Sequence, residues 1–379
     1  MSLIEKRSVL LEDKYTLREG YAFMTGIQAL VRLPLVQREL DLKSGLNTAG
    51  YISGYRGSPL GGYDQQLARN KKLLDEHYVK FQPGVNEDLA ATALWGTQQA
   101  ELSGEGKYDG VFGIWYGKGP GVDRSGDVLR HANFAGTSKF GGVLALMGDD
   151  HTAESSTTCN QSEFAMLDAM IPVLNPSSVQ EIIDFGIIGW MLSRYSGCWV
   201  GLKCVHDTVE ATSTINVDVA RLKLELPNDF NFPEDGLNIR FPDTPQAQER
   251  RMHEFKVDAV RSFCRANKLD RTIWPGGNAK IGIVTVGKSY LDTRLAFDEL
   301  GIDETGAEKF GVRLYKVAMP WPLESQGILE FAKGLDLIIV VEEKRALIEP
   351  QIKEFLYDLS NRPKVIGKTD ETGEPLFRT

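Results

Sequence analysis

The chain has 379 residues, 42% hydrophobic and 25% charged, the balance of a globular protein with apolar material for more than one core. Acidic residues outnumber Lys and Arg by 52 to 43, giving a formal net charge of −9, and no basic block is present. This argues against a partner that is nucleic acid or an anionic membrane surface, and the longest apolar run, residues 185–192, is far short of the ~20 a membrane helix needs.

From about residue 46 onward, short apolar runs alternate with longer amphipathic ones. Residues 48–52 read as a strand, 64–78 as a polar-faced helix and 87–102 as an Ala-rich helix. A strand at 110–116, a helix at 127–135 and a continuous apolar strand at 142–147 follow. Helix 164–170, strand 172–174, helix 179–193 and strand 198–203 continue the alternation. Near-continuous apolar strands between helices imply a parallel sheet covered on both faces.

Residues 205–278 break this rhythm with Leu226-Pro-Asn-Asp, Phe232-Pro-Glu-Asp, Phe241-Pro-Asp-Thr-Pro and Pro275-Gly-Gly-Asn around one polar helix near 246–267. A second β/α unit then runs through strand 280–286, helix 290–300, strand 312–317 and helix 323–333. Strand 337–341, helix 347–359 and a last strand at 364–366 complete it. The expectation is an α/β protein with one domain at 1–240, a connector at 241–278 and a smaller α/β domain at 279–379.

The charged start Met1-Ser-Leu-Ile-Glu-Lys-Arg lacks the apolar stretch of a signal peptide. Cys159, Cys198, Cys204 and Cys264 form no C-x-x-C pair and read as reduced thiols of a cytoplasmic protein. They also offer no cluster spacing for an iron–sulfur centre held by this chain alone.

Four polar or glycine-rich turns each follow a predicted strand. They are Gly54-Tyr-Arg-Gly-Ser-Pro-Leu-Gly-Gly, Pro83-Gly-Val-Asn-Glu-Asp, Gly117-Lys-Gly-Pro-Gly-Val-Asp and Gly148-Asp-Asp-His-Thr-Ala-Glu-Ser-Ser. Ligands of open α/β sheets bind outside the carboxyl ends of the strands, so four such turns on one rim make a cleft. The first turn sets Gly57, Gly61 and Gly62 around Ser58, yet it matches neither nucleotide-binding glycine motif.

Glu87 opens the Ala-rich helix, with Asn86 as its cap and Asp88 beside it. It reads either as a complement to the helix dipole or as a half-buried carboxylate for proton transfer. Lys118, between glycines, is an exposed loop residue or a fixed cation for a carboxylate or phosphate. Asp149, Asp150 and His151 raise the question of a metal, but Gly148-Asp-Asp lacks the continuation of a pyrophosphate–Mg²⁺ motif, and no metal site is expected. The five histidines share no ligand spacing.

In order and spacing these turns resemble the 2-oxoacid:ferredoxin oxidoreductases, specifically the indolepyruvate:ferredoxin oxidoreductase type. The matching segments are Tyr55-Arg-Gly-Ser-Pro-Leu-Gly, Asn86-Glu87, Lys118-Gly-Pro-Gly-Val-Asp123-Arg-Ser-Gly-Asp127 and Asp149-Asp150-His-Thr-Ala-Glu-Ser155-Ser156. The resemblance implies a parallel-sheet thiamine-pyrimidine-binding domain followed by a smaller transketolase-C-terminal-like α/β domain.

It also implies roles for residues. Glu87 matches the glutamate that bonds N1′ of the thiamine aminopyrimidine, where a shared proton favours the imino tautomer that deprotonates C2. Ser58 matches the turn residue facing the substrate; Tyr55, Arg56, Lys118 and Asp123 are carried over as further substrate contacts, and Gly57 and Asn86 as cofactor contacts. Arg56 replaces a family proline, Leu60-Gly61 replaces Ser-Ser and Asp123 stands where asparagine is common.

Implied with these residues are thiamine diphosphate, a 2-oxoacid such as indolepyruvate or another aryl pyruvate, coenzyme A, and ferredoxin as electron acceptor. Mg²⁺ and [4Fe-4S] clusters are expected in further domains or subunits, within a dimeric assembly. The tail from Gly367 reads as if a longer chain continued, so this chain alone is expected to be inactive. A non-oxidative thiamine enzyme of the transketolase or decarboxylase kind, or a scaffold subunit of the same fold, are the alternatives.

Overall fold

The computed structural model describes residues 8–376; the charged start at residues 1–7 and the last three residues of the tail lie outside the described residues. The first described strand, β1 (Tyr21–Thr25), leads into a long helix, Gly26–Lys43, that the hydrophobic pattern from residue 46 onward does not reach. Its start is nonetheless written locally. The Thr25 side chain accepts from the Gln28 amide at 3.1 Å while the Gln28 side chain accepts from the Thr25 amide at 3.0 Å, a reciprocal cap. This helix packs against the helix Val179–Ser196 so closely that a Cβ on Gly186 would stand 2.3 Å from Leu33 Cδ2.

Next come β2 (Ala49–Gly54), β3 (Val79–Phe81), β4 (Val111–Lys118), β5 (Val143–Asp149), β6 (Val173–Leu174) and β7 (Val200–Val205). They form a six-stranded sheet in the order β3-β2-β4-β5-β7-β6, with every pairing parallel. Every residue of β5 is buried, as its unbroken apolar pattern requires. β8 (Thr212–Asn216) returns to pair antiparallel with β1.

The second sheet takes β9 (Arg271–Trp274), β10 (Ile281–Val286), β11 (Val312–Val317), β12 (Leu337–Val341) and β13 (Lys364–Ile366), in the order β13-β12-β10-β11-β9. All its pairings are parallel except that of the edge strand β9. Strand order reverses between β2 and β4 in one sheet and between β10 and β12 in the other, which are the crevices where such sheets bind ligands.

One sequence reading changes. The single helix expected at 64–78 is two, Gly61–Arg69 and Lys71–Glu76, broken at Asn70, whose amide side chain donates to the Gln66 carbonyl at 2.8 Å. The region 241–278 carries the helix expected of it and packs that helix into the first core. Thr244 caps a helix that continues through a π turn at Met252–Lys256 into Val257–Ala266, and Met252, Val260, Phe263 and Cys264 bury into the first core. Its end supplies β9 to the second sheet.

The seam between the two sheets is bonded throughout. The Val173 and Asn175 amides donate to the Trp321 and Ala318 carbonyls at 2.8 and 2.9 Å, Arg265 pairs with Glu324 at 2.7 Å, and buried Lys316 meets Glu181 and Ser177. Among the described residues no helix is long and apolar enough to cross a membrane. Cys198, Cys204 and Cys264 are buried free thiols and Cys159 is an exposed one.

Candidate functional site

The structure brings the four turns together at the carboxyl ends of β2, β3, β4 and β5. The Gly84 amide donates to the Gly54 carbonyl at 2.8 Å, tying the second turn to the first. A Cβ on Gly57 would stand 2.8 Å from Lys118 Cδ, so the third turn's lysine lies across the first. Lys118 Nζ in turn donates to the Ser155 carbonyl at 3.4 Å and to Ser156 Oγ at 3.3 Å in the fourth.

Glu87 occupies the middle of this rim. Asn86 is extended and accepts the Leu89 amide at 2.9 Å, starting the helix Glu87–Gln98. Trp115 Nε1 donates to the Glu87 carbonyl at 3.1 Å, which fixes the backbone over β4. The residue is only 8% exposed. Its side chain lies over the third turn: a Cβ on Gly121 would come within 2.6 Å of both Glu87 Cγ and Oε1, a space only glycine leaves.

Among the described residues the Glu87 carboxylate accepts no hydrogen bond; Arg124 Nη1 stands 3.8 Å away, with the Arg124 Nε 3.5 Å from Asp88. Around the buried acid, apolar side chains face outward: Val85 is 81%, Leu89 54% and Tyr55 40% exposed. Arg56 is exposed, and Ser58 and Gly57 are half-buried on the same turn. Asp123 is exposed on the short helix after β4, Gly119–Arg124, where partial burial and then the Asp149 charge raise its carboxyl above the ordinary value.

The fourth turn is held by its two aspartates. Asp150 accepts the Glu154 amide at 3.0 Å and the Ser155 amide at 2.9 Å. Buried Asp149 accepts the Ser162 amide and hydroxyl and faces Lys203 Nζ at 3.9 Å, while Lys203 also meets Glu163 at 2.5 Å. Both carboxylates are therefore engaged by protein donors, and among the described residues no group of three or more His, Cys, Asp or Glu could hold a metal ion.

A cavity of about 340 Å³ opens between the sheets, lined by Ser58, Asp150, His151, His206, Lys288 and Glu343. Here His151 Nδ1 meets Glu343 Oε2 at 3.1 Å, and its Nε2 stands 3.8 Å from Asp149. Burial pushes the His151 imidazole down, but the Asp149 and Glu343 carboxylates outweigh it and hold it above its ordinary value. Burial likewise raises Glu343, yet His151 and the Lys203 charge bring it down to about 2.

The pair thus stabilises the fold where both partners are charged. The depressed Glu343 loses its contribution as pH falls from about 4.5 toward 2, and the raised His151 loses its own as pH climbs through its elevated value above 6.5. The difference in melting temperature between wild type and Glu343→Gln is therefore expected to peak between about pH 4.5 and 6.5 and to shrink on both sides. A difference that is flat from pH 3 to 9 would show that the pair carries no charge-linked stability.

Sequence reasoning names Glu87, Asn86, Ser58 and Lys118 but misses Lys203, Glu163 and Glu343. The one local signal is Lys203 itself, a lone charge inside the apolar run Val200-Gly-Leu-Lys-Cys-Val.

Residues 271–379, which begin with β9, match the family described as the indolepyruvate oxidoreductase domain. Over 376 residues the chain is 28% identical to indolepyruvate oxidoreductase subunit IorA of Pyrococcus abyssi, covering 97% of this chain and 51% of that protein. It is 24% identical over 374 residues to the subunit of the same name from Methanothermobacter thermautotrophicus, covering 97% and 54%. The chain spans about half the length of the curated relatives it matches. A 2-oxoglutarate:ferredoxin oxidoreductase structure from Magnetococcus marinus shares the fold, with a TM-score of 0.67 at 17% identity, covering 94% of this chain and 63% of that one. These likenesses bear out the resemblance drawn from the motifs.

Proposed function

We propose that this chain, of the indolepyruvate:ferredoxin oxidoreductase type, supplies the pyrimidine-facing half of a thiamine diphosphate site in a 2-oxoacid oxidoreductase. The observation that carries the reading is the position of Glu87, largely buried against Gly117 and Gly121 in the middle of the rim, with only the loose 3.8 Å contact to the half-exposed Arg124 on its carboxylate. A carboxylate with no hydrogen bond of its own has acceptor capacity left for a ring nitrogen that shares a proton.

Thiamine diphosphate, when bound, supplies an acidic C2–H and a sink for the electrons freed by decarboxylation. Glu87 would hold the proton at N1′, in a site where burial keeps water from competing for the bond. The backbones of Gly57 and Asn86 would border the ring. Lys118 would bind the 2-oxoacid carboxylate: among the described residues it makes no ion pair, and its two hydrogen bonds leave one of three donors free. Ser58 would donate its hydroxyl to the carbonyl or carboxylate, with Tyr55 and Arg56 at the outer lip and Asp123 beyond Lys118.

The exposed Val85 and Leu89 beside a buried acid favour a protein surface that closes the site, in a dimeric assembly. Mg²⁺, the iron–sulfur clusters, coenzyme A and the ferredoxin contact fall to the remaining domains or subunits. The assembly would convert an aryl 2-oxoacid such as indolepyruvate to an acyl-CoA in the cytoplasm. The test is reconstitution. The chain alone, with thiamine diphosphate, Mg²⁺, indolepyruvate and a dye acceptor, should give no turnover, and addition of the remaining half should restore it. A robust rate from the chain alone would overturn the half-site reading.

A further inference from the structure

The fourth turn of the rim is long and poorly covered. Thr152, Glu154, Ser155 and Thr157–Cys159 are exposed, and no helix or strand falls between Asp150 and Ser162. Asp150 shapes the turn from within by accepting the Glu154 and Ser155 amides, and the placement of that preformed turn depends on its ends. Both ends are gripped by one loop of the second domain, the turn after β12. At the start, Glu343 Oε2 meets His151 Nδ1 at 3.1 Å. At the end, the Arg345 amide donates to Gln161 Oε1 at 3.0 Å and Gln161 Nε2 donates to the Arg345 carbonyl at 3.3 Å. The Arg345 guanidinium also lies 3.7 Å from the Phe164 ring centre.

Between these grips Ser155 and Ser156 hold the Lys118 ammonium, through bonds of 3.4 and 3.3 Å, and buried Asn160 packs on Gly119. Bonds that long are lost with a small shift of the turn.

We propose that Glu343 and Arg345 are positioning residues, through which the second domain holds the 150–162 turn so that Lys118 stays over Gly57 at the point where the 2-oxoacid carboxylate is bound. This rests on the reading of Lys118 as the carboxylate ligand. The second domain then sets substrate affinity without touching the substrate. Chemistry that depends on Glu87 is left alone, since the bonds of Glu343 and Arg345 run to His151 and Gln161 and none to Glu87.

The test is Glu343→Gln, which keeps the volume and removes the charge. In the full chain, amide hydrogen exchange in residues 150–162 and acylation of Lys118 by an amine reagent should each rise by about fivefold or more. In the complete assembly, KM for the 2-oxoacid should rise roughly tenfold, as for loss of one charge-assisted hydrogen bond, with C2-proton exchange of bound thiamine diphosphate unchanged. Gln161→Ala, which releases the other end, should give the same pattern and keeps the test valid if Glu343→Gln folds poorly. Wild-type amide exchange and Lys118 reactivity in both variants would overturn the inference. Faster exchange and labelling with an unchanged KM would keep the clamp and remove Lys118 from substrate binding instead.

Discussion

Replacing Glu87 by Gln is expected to slow C2-proton exchange of bound thiamine diphosphate in the complete assembly by about 10²–10⁴-fold, the range for loss of a positioned acid–base group. The substitution is isosteric. It leaves the Asn86 cap and the Trp115 bond to the residue 87 carbonyl in place, so the melting temperature should hardly move. Gly121→Ala reaches the same chemistry by another route, because its Cβ would sit 2.6 Å from the carboxylate and push it off its position. Exchange should therefore fall in a protein that still carries the glutamate. Both variants are read by NMR of the C2 proton under deuterium exchange. Wild-type exchange in Glu87→Gln would move the chain to the scaffold reading.

Lys203→Met is expected to cost about 3–5 kcal/mol of stability, or a fall in melting temperature on the order of 10 °C. The ammonium is almost wholly buried between Glu163 at 2.5 Å and Asp149 at 3.9 Å. Burial lowers its basicity, but the Glu163 and Asp149 charges outweigh that and raise it. Without the lysine, both buried carboxylates lose their cation, and Asp149 keeps only the Ser162 donors and His151 at 3.8 Å. Lys203 is one of the groups that hold Asp149 below its ordinary value, so its loss makes protonation of Asp149 easier and the deficit should shrink as pH is lowered toward 4–5. Denaturant titration at pH 7 and pH 4.5 checks both statements. A loss under about 1 kcal/mol at pH 7 would show that the carboxylates find other partners.

The legible part of the site was the part written in adjacent residues. Asn86 and Glu87 declare a cap and a first-turn acid, and the helix Glu87–Gln98 starts there because an Asn side chain accepts a free amide. The continuous apolar run ending at Met147 declares a strand buried on both faces, although the sheet carries it on to Asp149. Less legible was the helix Gly26–Lys43. Its capping box at Thr25 and Gln28 is a local signal, but the segment is buried on most sides and shows no polar face.

Local rules of this kind determined the two α/β units and the polar turns at their strand ends, because strand alternation, caps and glycine turns act over a few residues, while the role given to Glu87 came from the family resemblance. What only the tertiary structure decided is which charges meet. Lys203 lies 40 positions from Glu163, and Gln161 lies 184 from Arg345, separations over which sequence carries no pairing signal. Coulomb attraction and desolvation depend on distance through space, and that distance is set by the packing of the second sheet against the first.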